Sequence, residues 1–366
     1  MNYKLFLLTW LILFCSCSSE EATYTIEEED GVKIIHNFKK FSPENYIAEL
    51  QFTSKFGDLE NKDENYNLYN ALDLTKDNDG NFYIVDNGNH RIQVFDNSGK
   101  YIRTIGRQGQ GPGEFTYPGN INIMNDSLFI IVNQLSQRAD IFGFNGKYFK
   151  SINLNDRVIS VLPFQNGKFI KIAGNLYMKD RIYSIIDESG EEIQEIGKAY
   201  FTGNDRNIDM NINICQAVVD NMKNVYVSFL RQNRIEKYDR YGKLILKSDR
   251  EFGFPIEIRY RKQVLDGPQG KVSMDVPSLS KTGEEIDLDS NNNLWIAGYS
   301  TQDEYDSEGK IVNEAESVFE IYNSEGILLG WAKHPVDERF IKIIDSHAYF
   351  KHNESMSIKE YKIVYK

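Results

Sequence analysis

The chain has 366 residues, 41% of them hydrophobic and 26% charged, with 22 Tyr and 22 Phe. That length suits one large all-β domain or two ordinary ones, and the aromatic content favours strands. A formal net charge of −12 makes a polyphosphate backbone an unfavourable partner, and the longest basic run is Arg259-Tyr260-Arg261-Lys262, so no nucleic acid is expected.

Residues 1–16 hold one early cation, Lys4, and then an apolar run that is too short to span a bilayer comfortably. They read as a signal peptide. The pair Ser16-Cys17 after this run resembles the lipobox of bacterial lipoproteins. The resemblance implies lipid attachment at Cys17, a lipidated acidic tether over 17–29, and export to the outer membrane, on its periplasmic or cell-surface side. The membrane would be touched through the anchor only. An ordinary secretory signal cleaved nearby is the other reading. With Cys15 removed and Cys17 acylated, Cys215 is the remaining thiol and no intramolecular disulfide can form. Its place in the apolar run 214–219 marks a buried hydrophobe rather than a nucleophile.

A repeat begins at Ala71. Residues 71–75, 81–86, 91–95 and 100–105 are short runs rich in β-branched and aromatic residues, punctuated by Asp79-Gly80 and Asn97-Ser98-Gly99. This predicts four antiparallel strands joined by hairpins. The clearest second copy is Asn233-Arg234-Ile235 with Gly242, and weaker copies close at Gly146, Gly190 and Gly326. Most intervals fall near the ~40–50 residues that a four-stranded propeller blade requires. A sixth unit is split: residues 341–364 supply three strand-like runs, and 32–36, after Asp30-Gly31, supplies the expected fourth. A ring needs such a split to leave no open seam. The expected fold is therefore all-β, a six-bladed β-propeller of four-stranded antiparallel blades over 30–366, closed by an N-terminal strand joining the C-terminal blade.

Asp86, Asn89, Arg91, Ile92, Val94, Phe95, Asp96 and Gly99, followed by Gly106, Gly109, Gly111, Pro112, Gly113, Glu114, Phe115 and Pro118, carry a resemblance to NHL-type six-bladed propellers. In particular the chain resembles the propeller lipoproteins of Gram-negative bacteria. That resemblance implies a fold. It implies no single function, because such propellers include scaffolds, binding modules and a few enzymes.

Local motifs add little chemistry. The glycine-rich loop 106–113 lacks a following Lys-Ser/Thr and opens onto a strand, so no phosphate cradle and no cofactor are expected. Asp86, Asn89 and Arg91 read as a structural tie between blades. His347 and His352 fall on opposite strand faces, the acidic run 303–309 lacks the ligand alternation of a calcium loop, and no nucleophile elbow occurs. Neither a catalytic group nor a metal site is assigned.

The long segments, 56–70, 198–213, 250–284 and 298–317, all fall in connections that antiparallel alternation places on one face of the disc. Insertions gathered on one face of a rigid scaffold mark a recognition surface. Candidate contacts there are Asn87, Arg107, Gln108, Asn133, Gln134, Arg231, Gln232 and Tyr299. Two function classes follow. One is an envelope-anchored propeller that binds a protein, peptide or glycan through its loop face. The other is a metal-dependent lactonase- or lyase-like enzyme, with its site at the central channel among Asn70, Asp73, Asn120, Asn122, Gln216 and Asp287.

Overall fold

A computed structural model describes residues 22–173, 181–203, 205–267, 270–306, 310–352 and 354–366. The expected signal peptide, 1–16, and the expected lipid attachment at Cys17 lie outside the described residues.

The repeat unit folds as its composition demands. Ala71–Lys76, Phe82–Asp86, Arg91–Phe95 and Tyr101–Ile105 pair in sequence order as one antiparallel sheet. In blades one, three, four and five the outer hairpin turn is built on one acceptor side chain. Asp96 Oδ1 takes the backbone N–H of Ser98 and of Lys100, at 2.9 and 3.0 Å. Asp187, Asp239 and Asn323 do the same two and four residues on. The residue three positions after the acceptor must adopt a left-handed backbone, and Gly99, Gly190, Gly242 and Gly326 do so at φ 80, 91, 81 and 75°.

Blade two spans Pro118–Asn125 to Tyr148–Asn153, and blade three spans Val158–Pro163 to Glu192–Ile196. Blade four spans Cys215–Val219 to Leu244–Arg250, and blade five Gly283–Leu288 to Leu328–Lys333. Blade six has Glu338–Ile344, His347–His352 and Ser357–Tyr365, with its outermost strand supplied from the N-terminal region. Six apolar clusters occur among the described residues, one at each blade-to-blade interface. Tyr83 and Val94 meet Ile121 and Phe129 between blades one and two, and Phe56 and Tyr349 meet Leu74 and Phe82 between six and one. The others lie between blades two and three, three and four, four and five, and five and six. Every sheet is thus covered on both faces by its neighbours, and the ring is complete: a six-bladed β-propeller. Cys215 is buried at one of these interfaces, and desolvation pushes its thiol up to about 12.

Two details differ from the sequence-based expectation. The closing strand is Tyr46–Phe56, which runs antiparallel to Ser357–Tyr365 from Ala48↔Tyr365 to Phe56↔Ile358. Val32–Asn37 does not pair with the C-terminal blade. It adds to the outer edge of blade four, parallel to Leu244–Arg250, where Ile35 is buried. Asn37 fixes this position: its amide donates to Ser248 Oγ and Gly326 O at 3.0 and 3.1 Å, and Leu328 N–H donates to its Oδ1 at 2.8 Å. Residues 24–29, assigned to the tether from sequence, form a strand, Tyr24–Glu29, paired with Val32–Asn37 across the Asp30-Gly31 turn. The N-terminal segment is thus a belt along the rims of blades four to six.

Candidate functional site

The six innermost strands bring one polar or apolar side chain each to the axis. Asp73, Asn120, Ile159, Gln216, Glu285 and Arg339, from blades one to six, line a pocket of about 160 Å³ at the loop-bearing end of the channel. Beside this pocket, Lys342 of blade six reaches Asp73 Oδ1 at 3.0 Å, Leu74 O at 3.2 Å and Ile121 O at 2.9 Å. One ammonium thereby ties three blades and matches the charge of Asp73, which also accepts the Ile121 N–H at 2.9 Å. A divalent ion would have to compete with that ammonium. Among the described residues, no group of three or more His, Cys, Asp or Glu is placed to hold a metal ion.

The remaining axial candidates serve as ties between strands. Asp287 Oδ2 accepts the Ile343 N–H at 2.7 Å, and Asn122 Nδ2 donates to Val161 O at 3.1 Å. Asn70 accepts from Lys351 Nζ at 2.7 Å. Burial pushes the Asp287 carboxyl up to about 6, against the pull of Lys342. It pushes Glu285 up to about 7, against Arg339 at 3.2 Å. Both carboxyls hold protons more tightly in the folded chain. Their contribution to stability is therefore full below about pH 4 and lost as pH climbs through about 6 to 7. Glu285→Gln is expected to shrink this fall, measured as the difference in urea stability between pH 4.5 and 8, by on the order of 1–2 kcal/mol. An unchanged fall would show that Glu285 titrates normally.

The eight loop-face candidates do not form one constellation. Asn87 and Asn133 are buried and engaged with backbone: Asn87 Nδ2 donates to Pro118 O at 2.8 Å, while Asn133 accepts the Thr116 N–H at 2.8 Å and donates to Glu114 O at 3.0 Å. Asp86, Asn89 and Arg91 form a structural tie, but to the connection entering blade one rather than to a neighbouring blade. Arg91 Nε and Asn89 Nδ2 donate to Asp86 at 2.9 and 2.8 Å, and Arg91 reaches Asn67 O at 2.9 Å. In blade two Arg138 plays the part of Arg91, donating to Asp140 at 3.1 Å and to Gly111 O at 2.8 Å. Gln232 Nε2 donates to Ile212 O at 2.8 Å. Arg107 is exposed and pairs with Glu114 at 2.8 Å, and Gln108 bridges to Phe115. Gln134 lines the axial pocket.

Arg231 and Tyr299 sit by two further concavities. The 250–284 connection folds as a hairpin, Ile258–Gly267 with Gly270–Leu279, and the blade-five insertion as a smaller one, Glu304–Tyr305 with Ile311–Asn313. Between them lies a pocket of about 750 Å³ walled by Arg231, Tyr260 and Tyr305. On the other side of the insertion, a cleft of about 850 Å³ runs between blades five and six, with Tyr46, Tyr299, His334 and Glu338 in its walls. Lys281 and Asp303, paired at 2.8 Å, border both. Arg339 borders both the cleft and the axial pocket. Tyr299 donates from its hydroxyl to Glu284, and its own pKa is pushed up by burial and by that carboxylate. Sequence reasoning located the two insertions but not the cleft. Its walls join residues 41–46 to several short stretches between 281 and 354.

No curated protein matches the chain. Among solved structures, a protein of Bacteroides fragilis described as exported superposes with a TM-score of 0.58 at 13% identity, covering 91% of this chain and 99% of that one. A DUF4221-family protein of Bacteroides vulgatus gives 0.57 at 11% identity, covering 88% and 99%. At such identities these likenesses speak to fold alone. Residues 25–262 match the DUF5128 family, described as a 6-bladed beta-propeller, and with the ring closed as above the chain belongs to that family.

Proposed function

We propose that this protein is an exported propeller, anchored through lipid at Cys17 to the outer membrane, that captures a protein, peptide or glycan with its loop face. One observation carries the reading: the inserted hairpins, and the two large concavities they wall, all stand on the same face of the disc. Exposed Tyr69, Tyr117, Leu135, Tyr200 and Val336 lie on connectors of that face. Scattered exposed apolar groups are ordinary, but a set of them on loops above a rigid ring is what a contact surface requires. The anchor is supported by Ser16-Cys17 after the apolar run. Among the described residues no helix is long and apolar enough to cross a membrane. Catalysis at the axis is less well supported, since Lys342 already answers the charge of Asp73.

A photo-crosslinking amino acid placed at Leu135, Tyr260 or Ile311 in the producing cell is expected to give a discrete adduct. The same group at Met222 or Tyr241, exposed in the tight turns of the opposite face, is expected to give none. Equal labelling from both faces would remove the loop-face reading.

A further inference from the structure

The cleft between blades five and six has a pronounced charge. Glu284, Glu314, Glu316, Asp337, Glu338 and Glu354 all line it. Of its three cations, Lys281 faces Asp303 at 2.8 Å and Arg339 faces Glu285 at 3.2 Å, so neither is directed at these six carboxylates. A second observation is independent of the acid count. The side chain of Glu338 is only 3% exposed. Its Oε1 accepts Lys359 Nζ at 2.7 Å and the Tyr361 hydroxyl at 2.8 Å, whereas its Oε2 is buried with no donor among the described residues. A buried carboxylate oxygen without a donor is unfavourable as it stands, and a donor delivered from outside would satisfy it. Tyr46 and Phe41 stand in the same wall, suited to the aliphatic stem of a long cationic side chain.

Resting on the loop-face reading above, we propose that this cleft takes lysine or arginine side chains from an extended basic segment of a protein partner. The cleft's volume of about 850 Å³ suits a short stretch of peptide. A net charge of −12 would steer such a segment towards the molecule at low ionic strength. Local excess of carboxylate in the cleft would then fix where it binds.

The test uses the described propeller with its N-terminal belt and two fluorescein-labelled peptides, Gly-Lys-Gly-Arg-Gly-Lys and its acidic counterpart Gly-Glu-Gly-Asp-Gly-Glu, followed by anisotropy. The basic peptide is expected to bind and the acidic one not. Glu314→Gln with Glu316→Gln and Asp337→Asn, all at exposed positions, should weaken binding roughly 10-fold, and Glu338→Gln roughly 5-fold. A control removing charge from the opposite face, Glu188→Gln with Glu191→Gln, should change it less than about 2-fold. The triple variant touches no core contact, so loss of binding in it cannot be loss of folding. Equal weakening in the control, equal binding of the acidic peptide, or no binding of the basic one would overturn the inference. If that happens while Ile311 still forms its adduct in cells, the basic-segment inference alone falls. Absence of both removes the loop-face reading as well.

Discussion

A chain beginning at residue 57 is expected to show no cooperative unfolding transition, whereas one beginning at residue 31 melts within a few degrees of the full chain. The first truncation removes Tyr46–Phe56, leaving Ser357–Tyr365 as a bare edge and withdrawing Ala48 and Phe56 from two interface clusters. Burial of Phe56 alone is worth about 1.5–3 kcal/mol. Adding the lost ladder and the opened seam exhausts the roughly 5–15 kcal/mol by which a domain is stable. The second truncation removes Tyr24–Glu29, whose side chains are all exposed. A start at residue 40 is intermediate. It loses Ile35 and the hydrogen bonds of Asn37 to blades four and five, on the order of 2–5 kcal/mol. Thermal melts followed by near-ultraviolet circular dichroism separate the three. A cooperative melt at the full-length temperature for the chain starting at 57 would contradict closure by this strand.

Arg250→Met is expected to cost about 3–5 kcal/mol. Arg250 ends the outer strand of blade four and pairs through Nε and Nη2 with Glu320 of blade five, both side chains under a tenth exposed. It also donates to Thr282 O at 3.0 Å and lies 3.3 Å from the Phe252 ring centroid. Without the guanidinium, Glu320 keeps among the described residues the Tyr322 hydroxyl, at 2.9 Å. Burial already pushes its carboxyl above the usual range with Arg250 present. Removing the cation raises it further, so the loss should be greater at pH 8 than at pH 5, because stability falls as pH rises through a raised carboxyl pKa. Replacing Glu320 by Met as well should restore part of the loss. Urea midpoints at the two pH values measure this, and a cost under about 1 kcal/mol would place the pair among weak surface bridges.

Four of the blades were legible because they announce their own turns. An acceptor at 96, 187, 239 or 323 followed three residues later by glycine sets a hairpin from local chemistry alone. Closure was legible only as a requirement. The parallel pairing of Val32–Asn37 with Leu244–Arg250 leaves no local mark, since nothing within six residues names a partner two hundred positions away. Tyr46–Phe56 was passed over because its outward side chains, Glu49, Gln51, Thr53 and Lys55, dilute its apolar signal.

The site was less legible than the fold. Asn87 and Asn133 have the polar character of contact residues, yet their side chains turn inward to bind backbone at the corners between strands. Residue type at a loop end does not encode that direction. Lys342 lies between Ile341 and Ile343 in the strand ERFIKII, and no neighbouring residue marks it as an axial group. Only the ring brings it to Asp73.

Recognition by the loop face is put to the test by exchanging residues 300–316 for a two-residue Asn-Gly turn between Tyr299 and Ser317, which are paired neighbours on adjacent strands. The expected result is a melting temperature within a few degrees of the parent and loss of the cross-linked adduct from Tyr260. An adduct at parental yield from the shortened, folded protein would contradict it.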